Sequence, residues 1–282
     1  MNRTLRPTIV GIAGLLALIT GLNAQTTTAP ATSSMPAPAA APAAAPAPAA
    51  PAVTVTVTPT FVNQYMFRGN RLGGPSFEPS VELDSGNFAV GVWSNFPITD
   101  KVPGQSDPEI DPYGSYTLTV NESLSVAPGF TWYNYPRADT SNGFYKSTFE
   151  PNIALNYTVG GVKIQPKFYY DLILKGPTYE LNLSAATPLK AIGSELDWVA
   201  TAGTYIIRDA AKGADPRVKN WGNYYLVGVS MPFTINSASK VIVGVSYTKG
   251  SENFFKQGSF PKSENTAAVG RGVVSLAYAY TF

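Results

Sequence analysis

VSLAYAYTF, residues 274–282, is the stretch whose reading decides the fold. Val274, Leu276, Tyr278, Tyr280 and Phe282 fall on one side of an extended strand, and Ser275, Ala277, Ala279 and Thr281 on the other, because successive side chains of a strand point to opposite faces. One face is oily and aromatic, the other slim and water-tolerant. A terminal strand of a soluble sandwich would bury the oily face under a second sheet. A strand that ends on an aromatic at its free carboxylate makes better sense if lipid supplies the cover.

The other end of the chain agrees with that cover. Residues 1–24 read as a secretory signal: Arg3 and Arg6 lead an apolar run from Ile9 to Leu22, and Ala24 offers a small residue for cleavage before Gln25. The run is shorter than the roughly 20 residues of a membrane-spanning helix. Residues 25–52 are almost entirely Ala, Pro, Thr and Ser, with no charge and little that offsets the entropy of ordering, and are expected to form a disordered periplasmic linker. The folded domain is expected over 53–282.

The chain has 0 cysteines and 0 histidines. That removes disulfides, thiolate metal sites, His-ligated metals and the Ser-His-Asp and Cys-His hydrolases in their usual forms, so no enzyme and no cofactor is expected. The 20 basic and 18 acidic side chains come level once Arg3 and Arg6 leave with the signal, and such neutrality gives no reason to expect nucleic acid as a partner.

From Val53 onward no apolar run approaches a membrane helix. Instead about twelve short alternating segments follow, divided by turn residues, at 53–68, 77–84, 88–98, 109–120, 124–135, 148–159, 162–174, 179–185, 195–208, 221–231, 241–247 and 271–282. The first puts Phe61, Tyr65 and Phe67 on the oily parity, and the seventh puts Phe168, Tyr170, Leu172 and Leu174 there. The ninth alternates least regularly. Links near 86, 122, 160, 190 and 236 are short, with Gly160-Gly161 the clearest hairpin turn, whereas several near 72, 103, 141, 213 and 260 are longer and polar. This is the pattern of an all-β, transmembrane, up-and-down antiparallel barrel, which must close because an open sheet edge in hydrocarbon leaves backbone groups unpaired. Pro79, Pro112, Pro128, Pro151 and Pro166 lie within these segments and oppose the reading, since proline gives nothing to a ladder; Pro128 and Pro166 are the hardest to place.

VNQYMFRG at 62–69, GNFAVGVWSNF at 86–96, EIDPYGSYTLTVNESLSVAPGFTWYNYP at 109–136 and the closing LAYAYTF resemble, in this order, elements of the TorF-type porin family of Gram-negative bacteria. Pro112 stands where that family usually has an apolar residue. The alternation of Leu276, Tyr278, Tyr280 and Phe282 is similar to the closing strand of bacterial outer-membrane barrels that the barrel-assembly machinery reads. The resemblance implies export across the inner membrane, a barrel in outer-membrane lipid and passive transport, without a particular solute.

Charged residues on the wet parity are the functional candidates: Arg68, Glu78, Glu82, Glu109, Asp111, Glu150, Lys163, Lys167, Asp171, Glu180 and Arg271. On a lipid face each would cost a few kcal/mol, so their placement argues that the opposite face is wet and lines a pore. Acidic residues on the second, fourth and sixth segments facing lysines on the seventh would set a transverse field for hydrated solutes; equally, the charges would pair to hold the wall together. Glu109 and Asp111 stand about 7 Å apart on one strand face, a spacing known in glycosidases, but nothing around them implies a substrate cleft. Two functions remain: a diffusion channel for small hydrophilic solutes, or a non-conducting outer-membrane barrel for adhesion or envelope attachment.

Overall fold

The computed structural model describes residues 53–99, 108–138, 145–208, 219–251, 253–256, 263–264 and 268–282. The signal at 1–24 and the linker at 25–52 lie outside the described residues. The fold is all-β, a closed antiparallel barrel of 12 strands. The strands are β1 (53–62, two runs parted by Pro59), β2 (76–85, parted at Glu78 and Pro79), β3 (Phe88–Pro97), β4 (109–121, parted at Thr117), β5 (Leu124–Asn134) and β6 (Ser147–Val159). They continue as β7 (Val162–Asp171), β8 (Gly176–Leu189), β9 (Ser194–Arg208), β10 (Lys219–Asn236), β11 (Ser239–Gly250) and β12 (Arg271–Thr281). Each pairs with its neighbour in sequence, and β12 closes on β1 through Tyr280↔Val57 and Leu276↔Phe61.

Alternation decides which face is which. Val81, Leu83, Val90, Val92, Ile153, Leu155, Leu181, Leu183, Val227, Val243, Val245 and Leu276 are exposed on the outside, while Ala154, Ala277, Ala279, Thr131 and Asn95 face inward and are buried. The sheet is thus oily outside and polar or small inside, the inverse of a soluble core. Exposed aromatics cluster toward both strand ends: Phe88, Tyr157, Phe233 and Tyr280 near the short turns, and Phe96, Trp132, Phe149, Tyr170 and Trp221 near the longer connections. At the short-turn end, Gly160 and Gly161 both take positive φ (57° and 79°), the geometry of a two-residue turn whose twist matches the strands it joins.

The prolines fit because each lies where the ladder to one neighbour is already broken. β5 pairs with β4 at Gly129↔Ser115 and again at Val126↔Leu118, with Pro128 in the gap. β7 pairs with β6 at Lys167↔Ala154 and again at Ile164↔Tyr157, with Pro166 in the gap but still matched to Leu181 of β8. Pro151 faces Phe130 on one side and precedes the first β6–β7 pair, Asn152↔Tyr169, on the other. Pro112 pairs with Val92, while the β4–β5 ladder ends one residue later at Tyr113↔Thr131. A proline lacks only its own N–H, so it costs little where no acceptor waits.

Three expectations need correction. The first segment does not run to residue 68: β1 ends at Val62, and Tyr65 and Phe67, on the oily parity by count, are 2 % and 7 % exposed inside the barrel. β7 ends at Asp171, and Leu174 turns inward instead of facing out. β8 and β10 extend well past the 179–185 and 221–231 expected for them.

Candidate functional site

The chain between β1 and β2 folds into the barrel. Tyr65–Phe67 and Asn70–Gly73 form a small antiparallel hairpin, a two-stranded sheet of its own, with Phe67 opposite Asn70. Its turn, Arg68-Gly69, has positive φ at both positions (45° and 74°), which glycine adopts freely and arginine does not. Gly69 also abuts the end of β11: a Cβ there would lie 2.3 Å from the Gly250 nitrogen. Gly69→Ala is therefore expected to destabilise the barrel by about 1–3 kcal/mol, read as a lower midpoint in urea unfolding from detergent.

Arg68 holds its unfavourable backbone because its side chain is over-determined. The guanidinium forms a two-pronged ion pair with Glu150 of β6, Nη1 to Oε1 and Nη2 to Oε2 at 2.9 Å each, with the two side chains 7 % and 1 % exposed. The Phe67 and Tyr169 rings lie 4.6 and 4.8 Å from it. Tyr133 of β5 donates its hydroxyl to Glu150 Oε2 at 2.8 Å. A planar fork on a carboxylate, between aromatic faces, is the strongest geometry open to such a pair. Two further bonds fix the hairpin: the Tyr65 hydroxyl donates to Glu109 Oε2 at 2.7 Å, and Asn70 Nδ2 to the Tyr205 hydroxyl at 3.2 Å.

Around these bonds the interior is packed. Tyr65, Phe67 and Leu72 from the hairpin meet Trp93, Leu174, Tyr205 and Tyr224 from the wall. Tyr205 and Tyr224 are accommodated reciprocally: Tyr205 lies opposite Gly222, and Tyr224 opposite Gly203, across the β9–β10 ladder. Each ring covers its partner glycine, so a Cβ on Gly203 would lie 2.3 Å from the Tyr224 ring and one on Gly222 2.2 Å from the Tyr205 ring. Tyr145, in the connection before β6, packs edge-on to Tyr135 at 5.8 Å between ring centres. Burial first, then the Asp171, Glu109 and Glu150 carboxylates, hold its phenol well above the usual range, so it stays neutral. Among Arg68, Tyr133, Tyr145, Glu150 and Asp171 a cavity of about 10 Å³ is left, room for one water.

The expected site residues are distributed as follows. Arg68 and Glu150 meet, as a latch between hairpin and wall. Glu109 and Asp111 are fully buried beneath the hairpin, with Glu78 also buried. Asp171 caps the 172–175 turn, accepting from Thr148 Oγ1 at 2.7 Å and from the N–H groups of Ile173 and Leu174 at 2.8 and 2.7 Å. Glu180 accepts from the Tyr169 and Tyr224 hydroxyls and from Asn182, and Glu82 from the Tyr113 hydroxyl at 2.8 Å. Lys167 stands opposite Glu180 in the ladder, with its ammonium 4.7 Å from the Tyr169 ring centre; Lys163 faces inward opposite Ser184. Arg271 is exposed at the rim. Leu276, Tyr278, Tyr280 and Phe282 all face outward, and the Phe282 N–H donates to the Val55 carbonyl at 2.9 Å.

Toward the short-turn end the interior carries amides and hydroxyls. Gln165 donates to Asn156 at 2.6 Å, Asn156 to Ser125 at 3.2 Å, and Thr201 to Asn182 at 2.6 Å. Tyr133, Tyr205 and Tyr224, which parity alone does not single out, do much of the work of the packed half together with Tyr65, which the count puts on the oily face. The available signals are an Arg-Gly turn preceded by Tyr65 and Phe67, and, for Tyr205 and Tyr224, inward-parity tyrosines facing glycines.

Among curated proteins none matches the chain in sequence. Solved structures similar to it include the NanC porin (TM-score 0.46, 9 % identity, covering 80 % of this chain and 98 % of that one). The KdgM porin gives TM-score 0.46 and 11 % identity, covering 81 % and 99 %, and LpxR from Salmonella typhimurium gives 0.46 and 8 %, covering 80 % and 100 %. The stretch that carries the hairpin, the Glu109–Asp111 pair and Glu150 lies within a longer match to one family model. Over residues 45–193, more than half of the chain, the sequence matches the family described as "Bacterial protein of unknown function (Gcw_chp)", and the chain belongs to that family.

Proposed function

We propose that this protein is a porin-like channel of the outer membrane that passes small hydrophilic solutes by diffusion, with the half nearer its longer connections narrowed by the 65–73 hairpin. The observation that carries the reading is the inverted barrel, with Val, Leu and aromatic side chains outside and Ser, Thr, Asn, Gln and charge inside. An apolar girth of this extent far exceeds the patches a water-soluble monomer tolerates, and closure leaves no edge to satisfy in hydrocarbon. The resemblance to TorF-type porins and the outward, aromatic closing strand accord with export, recognition by the barrel-assembly machinery and a place in outer-membrane lipid.

The packed half favours one competing reading, a barrel that does not conduct and serves attachment through its loops or linker. Planar-bilayer recording separates the two. Stable ionic steps smaller than those expected of an unobstructed twelve-stranded barrel support the channel, and a folded but silent protein supports the alternative. Liposome swelling with sugars, amino acids and nucleosides then identifies the solute class.

A further inference from the structure

Toward the short turns the inward side chains are half-buried instead of sealed, and the charges among them do not cancel. Glu82 and Asp84 stand on the inward parity of β2, and Glu195 and Asp197 on that of β9, all four half-buried. Against them stand Lys163 on β7, between Thr158 and Ser184, and Lys240 on β11, between Thr234 and Ala279. Among the described residues none of these six is in an ion pair. Glu82 accepts from the Tyr113 hydroxyl, which leaves its charge in place. The other inward charges do not alter the sign. Lys167 and Glu180 stand opposite each other across the β7–β8 ladder and offset one another, as Arg68 and Glu150 do in the fork. Glu78, Glu109, Asp111 and Asp171 are buried in the packed half, and a carboxyl is neutral or negative, never positive. Arg71, on the hairpin and bonded to Gln64 Oε1 at 2.6 Å, adds one positive charge. Even with all four buried carboxyls protonated, the four half-buried acids exceed Lys163, Lys240 and Arg71 by one. Further basic side chains, Arg137, Lys146, Lys175 and Arg271, are exposed at the longer connections, where bulk salt screens them.

We propose that the lumen selects cations, with Glu82, Asp84, Glu195 and Asp197 as the residues that set the preference; this rests on the channel reading above. The solutes it favours are then small and positively charged. In the half toward the short turns, four carboxylates against two ammoniums leave an excess of two negative charges in a passage walled by protein and lipid, where field lines are focused. Acidic side chains arranged around a pore select cations by this means. The potential they set up reaches about 10 Å in 0.1 M salt and about 3 Å at 1 M, so the preference weakens as salt rises. Lys163 and Lys240 oppose it, and each restrains the selectivity that the acids would otherwise give.

Reversal potentials under a KCl gradient test this, with the full chain refolded in detergent and inserted into planar bilayers. The expected result is that potassium permeates at least about threefold faster than chloride in dilute salt, the ratio falling toward one as the salt approaches about 1 M. Asp84→Asn/Asp197→Asn leaves Glu82 and Glu195 against Lys163 and Lys240 and should bring the ratio to about one. Lys163→Gln removes an opposing charge and should raise the ratio above wild type. A merely structural disturbance would not move it in opposite directions. A wild-type ratio of one or below, or a ratio that the double variant leaves unchanged, overturns the proposal while the channel stands. A folded wild type that passes no current overturns the channel reading and the selectivity with it. If the double variant lacks the mobility shift of a folded barrel, Asp84→Asn alone and Lys163→Gln decide by the same criteria.

Discussion

Replacing Arg68 by alanine is expected to destabilise the barrel by about 3–5 kcal/mol and to free the luminal hairpin. The fork that neutralises Glu150 disappears, and the carboxylate is left charged in a chamber with room for one water, with only the Tyr133 hydroxyl for company. The hairpin also loses its anchor between the Phe67 and Tyr169 rings, while its backbone still carries positive φ at residue 68. Replacing both partners by leucine removes the stranded charge as well as the pair, so the double variant should lose far less than the two single variants summed. Urea unfolding in detergent measures the first effect. Bilayer recording measures the second: if the hairpin is what narrows the passage, Arg68→Ala and removal of residues 65–73 both raise the conductance step and its noise. A wild-type midpoint together with a wild-type step for Arg68→Ala would mean that the Arg68–Glu150 pair neither holds the hairpin nor limits flow.

The barrel was legible in the sequence because a period-two pattern survives wherever one face meets lipid and the other does not. Val241, Val243, Val245 and Tyr247 against Ile242, Gly244, Ser246 and Thr248 state the orientation of β11 without help from any contact. The same logic misled at residues 65–67. There the aromatics continue the parity of Phe61, but they are covered by protein inside the barrel, and periodicity does not distinguish an oily face turned to lipid from one turned to a filled lumen. FRGN at 67–70 holds the missing signal, since a two-residue turn with glycine second reverses a chain whose parity alone would continue. Pro128 and Pro166 oppose the barrel in the sequence for a related reason. A sequence shows which residue lacks an N–H but not whether its neighbour offers an acceptor, and the gap beside Pro128 exists only once β4 breaks at Thr117. Parity puts the charged residues on the inner face but does not name their partners: the counter-charge to Glu150 comes from a hairpin 82 positions away.

The cover of the outer face is tested by charge at two sites of opposite parity on one strand. Val227 lies near the middle of β10, exposed between Ala200 of β9 and Tyr247 of β11; Ser230, three residues on, faces inward between Asp197 and Gly244. In hydrocarbon an arginine at the first position is expected to cost about 2–4 kcal/mol, while at the second it meets water and polar neighbours and should cost under about 1 kcal/mol. The order is the reverse of that for a soluble sheet, where an exposed valine is replaced by arginine almost freely and an inward-facing serine is not. Val227→Arg should therefore lower the yield of folded, heat-modifiable protein in lipid vesicles and its unfolding midpoint, and Ser230→Arg should leave both near wild type. The same pair compared in vesicles of short and long acyl chains locates the belt. As the bilayer thickens, Val227→Arg should worsen because its side chain has further to reach for the interface, whereas Ser230→Arg should not respond. Equal tolerance at the two positions would place water on both faces of the sheet and remove the membrane from the account.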